Sequence, residues 1–406
     1  MIAALVLAAG TNGGQETQGQ ASREAIDHAL AQARSYLLAH QEADGGFGSL
    51  RDAHYPDLWE NVEAHRAFRV ATTGLCARAL LSCSAQQGDS TSERDVEARA
   101  AALRTLPSLL ADHDLRRCDD WDIDTVWGLL FGMQGLVALV ADKADPAKPA
   151  LLPALLNDEQ RGAAATAIDA MIARIWSFQS PLGGWGYYCD QIDAWQPNWA
   201  TSFTTAAMVI ALDDARKAGF AVDAKRFDAA VEAIAHCELP SGAFTYNISP
   251  ISEPGSLESL DDVRGSLGRI AACQLALTRG GRRPSDEKIA AGYGLFLRHH
   301  QFLDIARMRP VPHEAYHYNA SYFFLFGHCH AAALLPELTR AAQRDVAPRI
   351  AQQIVAIQED DGACWDDYFA GYTRASGTAF ALLTLADCRR ALRHTVAPEL
   401  RSLRPR

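Results

Sequence analysis

One phrase recurs in this chain: an apolar helical run, a polar exit, and a glycine turn closed by a ring. It is clearest at Ile172–Tyr188, IARIWSFQSPLGGWGYY. Near the N-terminus it is YLLAHQEADGGFG, Tyr36–Gly48, and near the C-terminus IVAIQEDDGACW, Ile354–Trp365. A weaker copy is AIAHCELPSGAF, Ala233–Phe244. Paired glycines stop a helix, because glycine enters the left-handed cap conformation without a Cβ penalty. After each copy comes a loop and a second apolar helix rich in Ala, Thr and Leu. The unit is therefore a helical hairpin, and its recurrence overrides any domain count based on length, because stacked repeats share one core.

The first turn glycines, Gly45, Gly183, Gly242 and Gly362, leave two intervals about twice the length of the third. Each long interval holds one degenerate copy, Ala100–Asp114 and Lys288–Gln301, each followed by its own second helix. The expectation is six hairpins. Their first helices start at or near Arg23, Glu93, Glu159, Ala224 and Lys288, with the sixth ending near Gln358. Their second helices cover Ala67–Ser84, Asp124–Ala141, Ser202–Lys217, Asp262–Thr278, Ala320–Leu334 and Ser376–His394. Thr or Ser marks the mouths of these second helices: Thr72-Thr73, Thr125, Thr204-Thr205, Ser266, Ser321, Ser376 and Thr378. No β-type alternation appears. The predicted fold is all-α, a closed (α/α)6 toroid of six inner and six outer helices. It occupies residues 23–394, after a leader of residues 1–22 and before a tail of residues 395–406.

The pattern apolar run–Gln–x(3)–Gly–x–Trp resembles the QW-type repeat of terpenoid cyclases and protein prenyltransferase β subunits. Gln179, Gly183 and Trp185 match it, Gln358 and Gly362 match with Trp365 one place late, and Gln41, Gly45 and Phe47 form a variant. The resemblance implies that these residues are scaffold. A glutamine can satisfy free carbonyls at a helix end. It also implies a central cavity at the mouths of the inner helices, where backbone N–H groups converge.

Chemistry is sought at those mouths. Asp119-Asp120-Trp121-Asp122-Ile123-Asp124-Thr125 opens the second inner helix. Asp is a favoured N-cap, which gives Asp124 a structural reading. Asp122-Ile123-Asp124-Thr125 also resembles part of the DxDDT motif of class II terpenoid cyclases, which implies an acid at Asp122 or Asp124; the last Asp of that motif is absent. A second stretch, His313–His330, places His317 before the fifth inner helix. It faintly resembles the segment that supplies the zinc-binding His of prenyltransferase β subunits. No thiolate or second His accompanies it, so the expectation is no metal and no cofactor, with His317 as acid, base or hydrogen-bond donor. Trp121, Trp127, Trp195, Trp199, Tyr318, Tyr322, Tyr368 and Tyr372 are candidates to line an apolar pocket, where rings can hold a cation. Arg264, Arg269 and Arg374 would suit a carboxylate or phosphate if they face inward.

The net charge of −11, spread along the chain, argues against a nucleic-acid surface and shows no basic membrane patch. The opening MIAALVLAAG fits the apolar region of a signal peptide without its basic start and is too short to span a bilayer. It tips the reading toward a periplasmic or secreted protein. Nine cysteines, several inside apolar helical runs and none in a CxxC pair, pull toward a reducing compartment. Three functions remain open: acid catalysis on an isoprenoid or other lipid in a central cavity; a carbohydrate-active toroid using His317, Asn319, a Tyr and an Arg in an open cleft; or a non-catalytic binding toroid whose mouth acids are only caps. A protein partner cannot be named from the sequence.

Overall fold

The computed structural model describes residues 19–48, 62–84, 93–120, 122–142, 154–188, 197–249, 259–367 and 370–393. Trp121, Trp195, Tyr368, Cys189, the apolar start and the C-terminal tail lie outside them. The described residues are helical, with no strand and three isolated β-bridges.

Outer and inner helices alternate. The outer ones are α1 (Arg23–Ala39), α3 (Glu93–Arg104) continued by α4 (Leu106–Ala111), α6 (Asp158–Ser177), α8 (Ala224–His236), α10 (Asp286–Arg298) continued by α11 (Gln301–Ala306), and α13 (Arg340–Ile357). The inner ones are α2 (Val62–Ser84), α5 (Thr125–Ala141), α7 (Ser202–Lys217), α9 (Leu267–Arg279), α12 (Phe323–Leu334) and α14 (Thr373–Ala391). Each inner helix packs on the next in that order, and α14 packs back on α2. The described helices thus close into an α/α toroid, and their pairing is consistent with six hairpins. The inner helices are buried nearly all round: α5 and α12 have apolar residues on every face, as a helix in the middle of a core must. Close contact between α2 and α5 depends on glycine. A Cβ on Gly74 would lie 2.1 Å from the Phe131 carbonyl oxygen, and one on Gly135 would lie 2.5 Å from Gly74 Cα.

The repeated residues act as fasteners of two kinds. In the first, a glutamine carboxamide donates to the carbonyl of its own turn glycine and to a carbonyl of the next outer helix. Gln41 Nε2 reaches Gly45 O and Ala101 O, both at 2.9 Å. Gln179 Nε2 reaches Gly183 O at 2.7 Å and Arg226 O at 3.0 Å. Gln358 Nε2 reaches Gly362 O at 3.2 Å and Ala29 O at 3.0 Å, which ties the last outer helix to the first and seals the ring. The turn itself demands glycine: Gly183 has φ +93°, and a Cβ there would sit 2.7 Å from Ala229 O on the neighbouring outer helix.

The second fastener explains the recurring Thr and Ser. An inner-helix hydroxyl accepts the amide two residues past the turn glycine: Thr73 from Phe47, Thr205 from Trp185, Ser266 from Phe244 and Thr378 from Cys364, at 2.9–3.0 Å. All four amides are buried. Trp185 is fully buried and donates its indole N–H to Ile175 O at 2.8 Å.

Helix starts differ from expectation by three to five residues at four inner helices; α14 begins at Thr373 rather than Ser376. α9 begins at Leu267 rather than Asp262, because the Asp262 carboxylate accepts the Gly265 amide and holds residues 259–266 in turns. α2 starts earlier, at Val62, where Asp122 accepts the Glu63 amide. α12 starts at Phe323, after a segment bent by left-handed residues. Cys76, Cys83, Cys273, Cys329 and Cys388 are buried free thiols, as are Cys237 and Cys364. Among the described residues no helix is long and apolar enough to cross a membrane.

Thr205→Val keeps the volume but orphans the buried Trp185 amide. It should cost about 1–3 kcal/mol in denaturant unfolding. Thr166→Val, which removes an exposed hydroxyl bonded only to Gly162 O, should stay within about 0.5 kcal/mol.

Candidate active site

The acidic stretch before α5 resolves into two different roles. Asp122 is buried, and its oxygens accept three amides: Cys118 at 3.0 Å and Asp119 at 2.8 Å on Oδ2, and Glu63 at 3.1 Å on Oδ1. It ties its own loop to the start of α2, a structural task. Asp124, by contrast, is not the side-chain cap its position suggests. Its backbone is left-handed, φ 66°, and its carboxyl makes no capping bond. Asp tolerates this region better than most residues, but at a cost that usually marks a positioned side chain. The orphan amide of Val126 in the first turn of α5 is satisfied instead by Tyr187 O at 3.0 Å.

Tyr187 is the first of three phenols that gather around Asp124. Its hydroxyl is hydrogen-bonded to that of Tyr246, and Tyr322 interacts with both. Tyr322 donates to His313 Nε2 at 3.0 Å, while His313 Nδ1–H donates to Tyr318 O at 2.6 Å. The second bond fixes the imidazole tautomer, because a carbonyl can only accept. Tyr246 is held by its loop. Its amide donates to Asp261 Oδ1 at 2.6 Å, and its ring lies 5.3 Å from the guanidinium of the fully buried Arg269. Arg269 spends its donors on Gly265 O, Phe244 O and Leu260 O, at 2.9, 3.0 and 2.6 Å, and so clamps two loops together.

Asp124, Trp127, Tyr187, Tyr246, Tyr322 and His313 all keep part of their surface accessible. Yet burial is the largest influence on the ionisable members. It pushes the Asp124 carboxyl up to about 7, opposed by a hydrogen bond from the Trp127 side chain. It pushes the Tyr187 and Tyr322 phenols well up and Tyr246 up, and it lowers His313. Partial exposure together with strong desolvation is the setting expected of groups in a narrow recess. Its floor is aromatic. Trp127 meets Phe326 edge-on at 6.2 Å, and these belong to α5 and α12, on opposite sides of the ring. Phe131 meets Phe380 at 5.6 Å, and Phe203 contacts Trp127, Tyr246 and Phe326 within 5.8 Å. The rings meet across the axis below the acid.

The remaining sequence candidates fall elsewhere. Trp199 packs on Tyr187 and Tyr188 at 5.1 and 5.2 Å, beside the phenols. Tyr372 is buried against His65 and Phe68. Arg374 pairs with Glu359 and Asp361 beside the Gly362 turn, a surface fastener. His317 and Arg264 lie together at the rim with Asp262, and Tyr318 is exposed. His328 and His330 are buried; His328 Nε2 faces His300 Nε2 at 3.0 Å. Tyr187, Tyr246 and His313 were not singled out from sequence. Their signal lies in the repeat register: Tyr187 and Tyr246 each stand four residues after a turn glycine, Gly183 and Gly242, and Asp366 holds that place after Gly362.

No protein-family model matches the chain, and no curated protein matches it. Solved structures do. An inactive variant of the α-1,6-mannanase GH76A of Salegentibacter sp. HEL1_6 is similar with TM-score 0.53 at 10% identity, over 91% of this chain and 99% of that one. A possible GH105-family member from Klebsiella pneumoniae has TM-score 0.52 at 12% identity, over 94% and 96%. The type II terpene cyclase MstE from Scytonema has TM-score 0.50 at 12% identity, over 91% and 100%. At such identities the likeness establishes the α/α-toroid fold.

The Asp124 carboxyl moves from 3.8 in an unfolded chain to about 7 when folded. The folded state therefore holds the extra proton between those values. The stability linked to Asp124 is full below about pH 4 and declines by about 1.4 kcal/mol per pH unit up to about pH 7. Asp124→Asn should consequently match the parent near pH 4 and exceed it by a few kcal/mol at pH 8, read by urea unfolding at both values.

Proposed function

We propose that this protein is an enzyme that transfers a proton from Asp124 to a substrate held in the aromatic recess, and that the substrate is an isoprenoid or similarly unsaturated lipid. The observation that carries the reading is the setting of Asp124. It is a carboxyl protonated up to about neutral pH, walled by phenols and aryl rings, and burial and the Trp127 side chain are what set its ionisation. An acid of this kind delivers a proton where charge then develops on carbon. The faces of Trp127, Phe203 and Phe326 can stabilise that cation. The phenol trio offers both donors and acceptors beside it, and the floor of rings limits how deep the substrate reaches.

Of the two predicted acids, Asp124 is taken as the catalytic one, since Asp122 is occupied by backbone amides. The fold likeness to a type II terpene cyclase is compatible with this chemistry but does not choose it. The second reading is a carbohydrate-active toroid, favoured by the polar rim of Asp262, His317 and Asn319 and by fold likeness to a mannanase and a GH105-family protein. Glycoside hydrolysis usually uses a pair of carboxyl groups across the bond. No second carboxylate is among the groups that shift Asp124.

The test is turnover of linear isoprenoids and of oligosaccharides in D2O. The proposal expects deuterium on carbon in an isoprenoid product. It expects the rate to fall about tenfold per pH unit above about pH 7, and Asp124→Asn to lose about 10²–10⁴-fold. Turnover of glycans alone would establish the second reading. Isoprenoid turnover that survives Asp124→Asn would sink the first.

A further inference from the structure

The segment 259–266 carries two acids with opposite duties. Asp261 accepts the Tyr246 amide at 2.6 Å and so supports the phenol cluster. The next residue, Asp262, places its Oδ2 2.9 Å from His317 Nδ1, with Oδ1 held by the Gly265 amide at 2.8 Å. Consecutive Cα atoms are about 3.8 Å apart, so the His317 pair adjoins the recess. A second link runs through the rim loop, where Tyr318 O, one residue past His317, holds His313.

His317 is kept there under strain. Both His317 and Tyr318 are left-handed, with φ 60° and 55°. This turn sends the His317 side chain inward, 7% exposed, and leaves Tyr316 and Tyr318 outward, 70% and 54% exposed. Strain of this kind persists where the surroundings over-determine it and clusters at ligand sites.

Arg264 completes the group. It is exposed, its guanidinium carbon lies 5.6 Å from the centre of the Phe302 ring, and its Nη1 is 3.5 Å from His317 Nε2. Phe302 is in turn edge-on to His317 at 4.8 Å. Among the described residues Arg264 has no carboxylate partner. The neighbourhood is positive: after burial, Arg264, Arg298 and His317 all hold His299 below its ordinary range, and Asp262 opposes them. This occurs in a chain of net charge −11.

A planar guanidinium over an aromatic ring, with donors that meet no carboxylate among the described residues, beside an imidazole with a carboxylate behind it, suits an oxyanion. We propose that Arg264 and His317 form an anion-binding subsite at the rim of the recess, which takes a phosphate-type or carboxylate group at one end of the substrate. The assignment rests on the proposed reaction only for what happens to the rest of the ligand. The anion takes the Arg264 N–H donors, and His317, whose Nε2 lies 3.5 Å from Arg264 Nη1 and whose Nδ1 lies 2.9 Å from the Asp262 carboxylate, orients that guanidinium and faces the anion.

The experiment titrates the full chain with inorganic pyrophosphate and, separately, with glucuronate, following the His317 ring nitrogens by NMR. The expected result is a saturable shift with one of the two anions, and which one it is decides between the phosphate and carboxylate sources. Arg264→Gln should weaken that binding at least about tenfold, and Arg264→Lys should recover part of it. Asp124→Asn should leave it unchanged, so loss of the acid-catalysis reading would not touch this result. No saturable shift with either anion, or an identical shift in Arg264→Gln, would overturn the subsite.

Discussion

The closure of this fold rests on one hydrogen-bonding device, used at three of its turns: the glutamine carboxamide that joins a glycine turn to the next outer helix. A helix end leaves carbonyls without partners, and a turn buried against another helix cannot give them to water. Gln41, Gln179 and Gln358 each supply two N–H donors at that point, one inward to their own turn and one outward to the neighbour. Because Gln358 reaches Ala29, the last hairpin meets the first, and no terminal repeat is left with an open apolar face.

The ring then positions the candidate site. With the turns fastened, the residues that follow each turn glycine are delivered to the inner-helix mouths in register. Two residues on, an amide meets a Thr or Ser of the inner helix; four residues on stands Tyr187, Tyr246 or Asp366. Tyr187 also caps α5 through its carbonyl, so the element that ends one inner helix's orphan donor brings a phenol to Asp124. Below them, Trp127 of α5 meets Phe326 of α12 on the opposite side of the ring, and Phe131 of α5 meets Phe380 of α14. Ring closure thus leaves Asp124 half-buried among phenols and aryl rings.

The sequence was most legible where a physical rule has a fixed period. Glycine turns and apolar runs placed the outer helices well, and Thr73, Thr205, Ser266 and Thr378 were visible as a series before their role as amide acceptors was. The site was legible only in part. Asp122 and Asp124 look equivalent in the sequence, since spacing does not tell a carboxylate consumed by three amides from one left free. Tyr187 sits inside the clearest repeat, beside its scaffold neighbours Gln179 and Trp185, and so carries no separate signal. Tyr246 and His313 come together with it only through loops whose path is decided by the buried Arg269 and by left-handed residues at His313, His317 and Tyr318. No local pattern encodes such a meeting. Arg264 and His317 were both noticed, and their pairing needed the turn made by Asp262.

The central claim is that the closed ring raises the Asp124 carboxyl to titrate near neutral pH, so that a large share of it stays protonated there. The most direct measurement is the carboxyl carbon of Asp124, followed by ¹³C NMR through a pH titration and assigned with Asp124→Asn. The account predicts a midpoint near pH 7. A midpoint near pH 4, the ordinary range of an exposed aspartate, would contradict it.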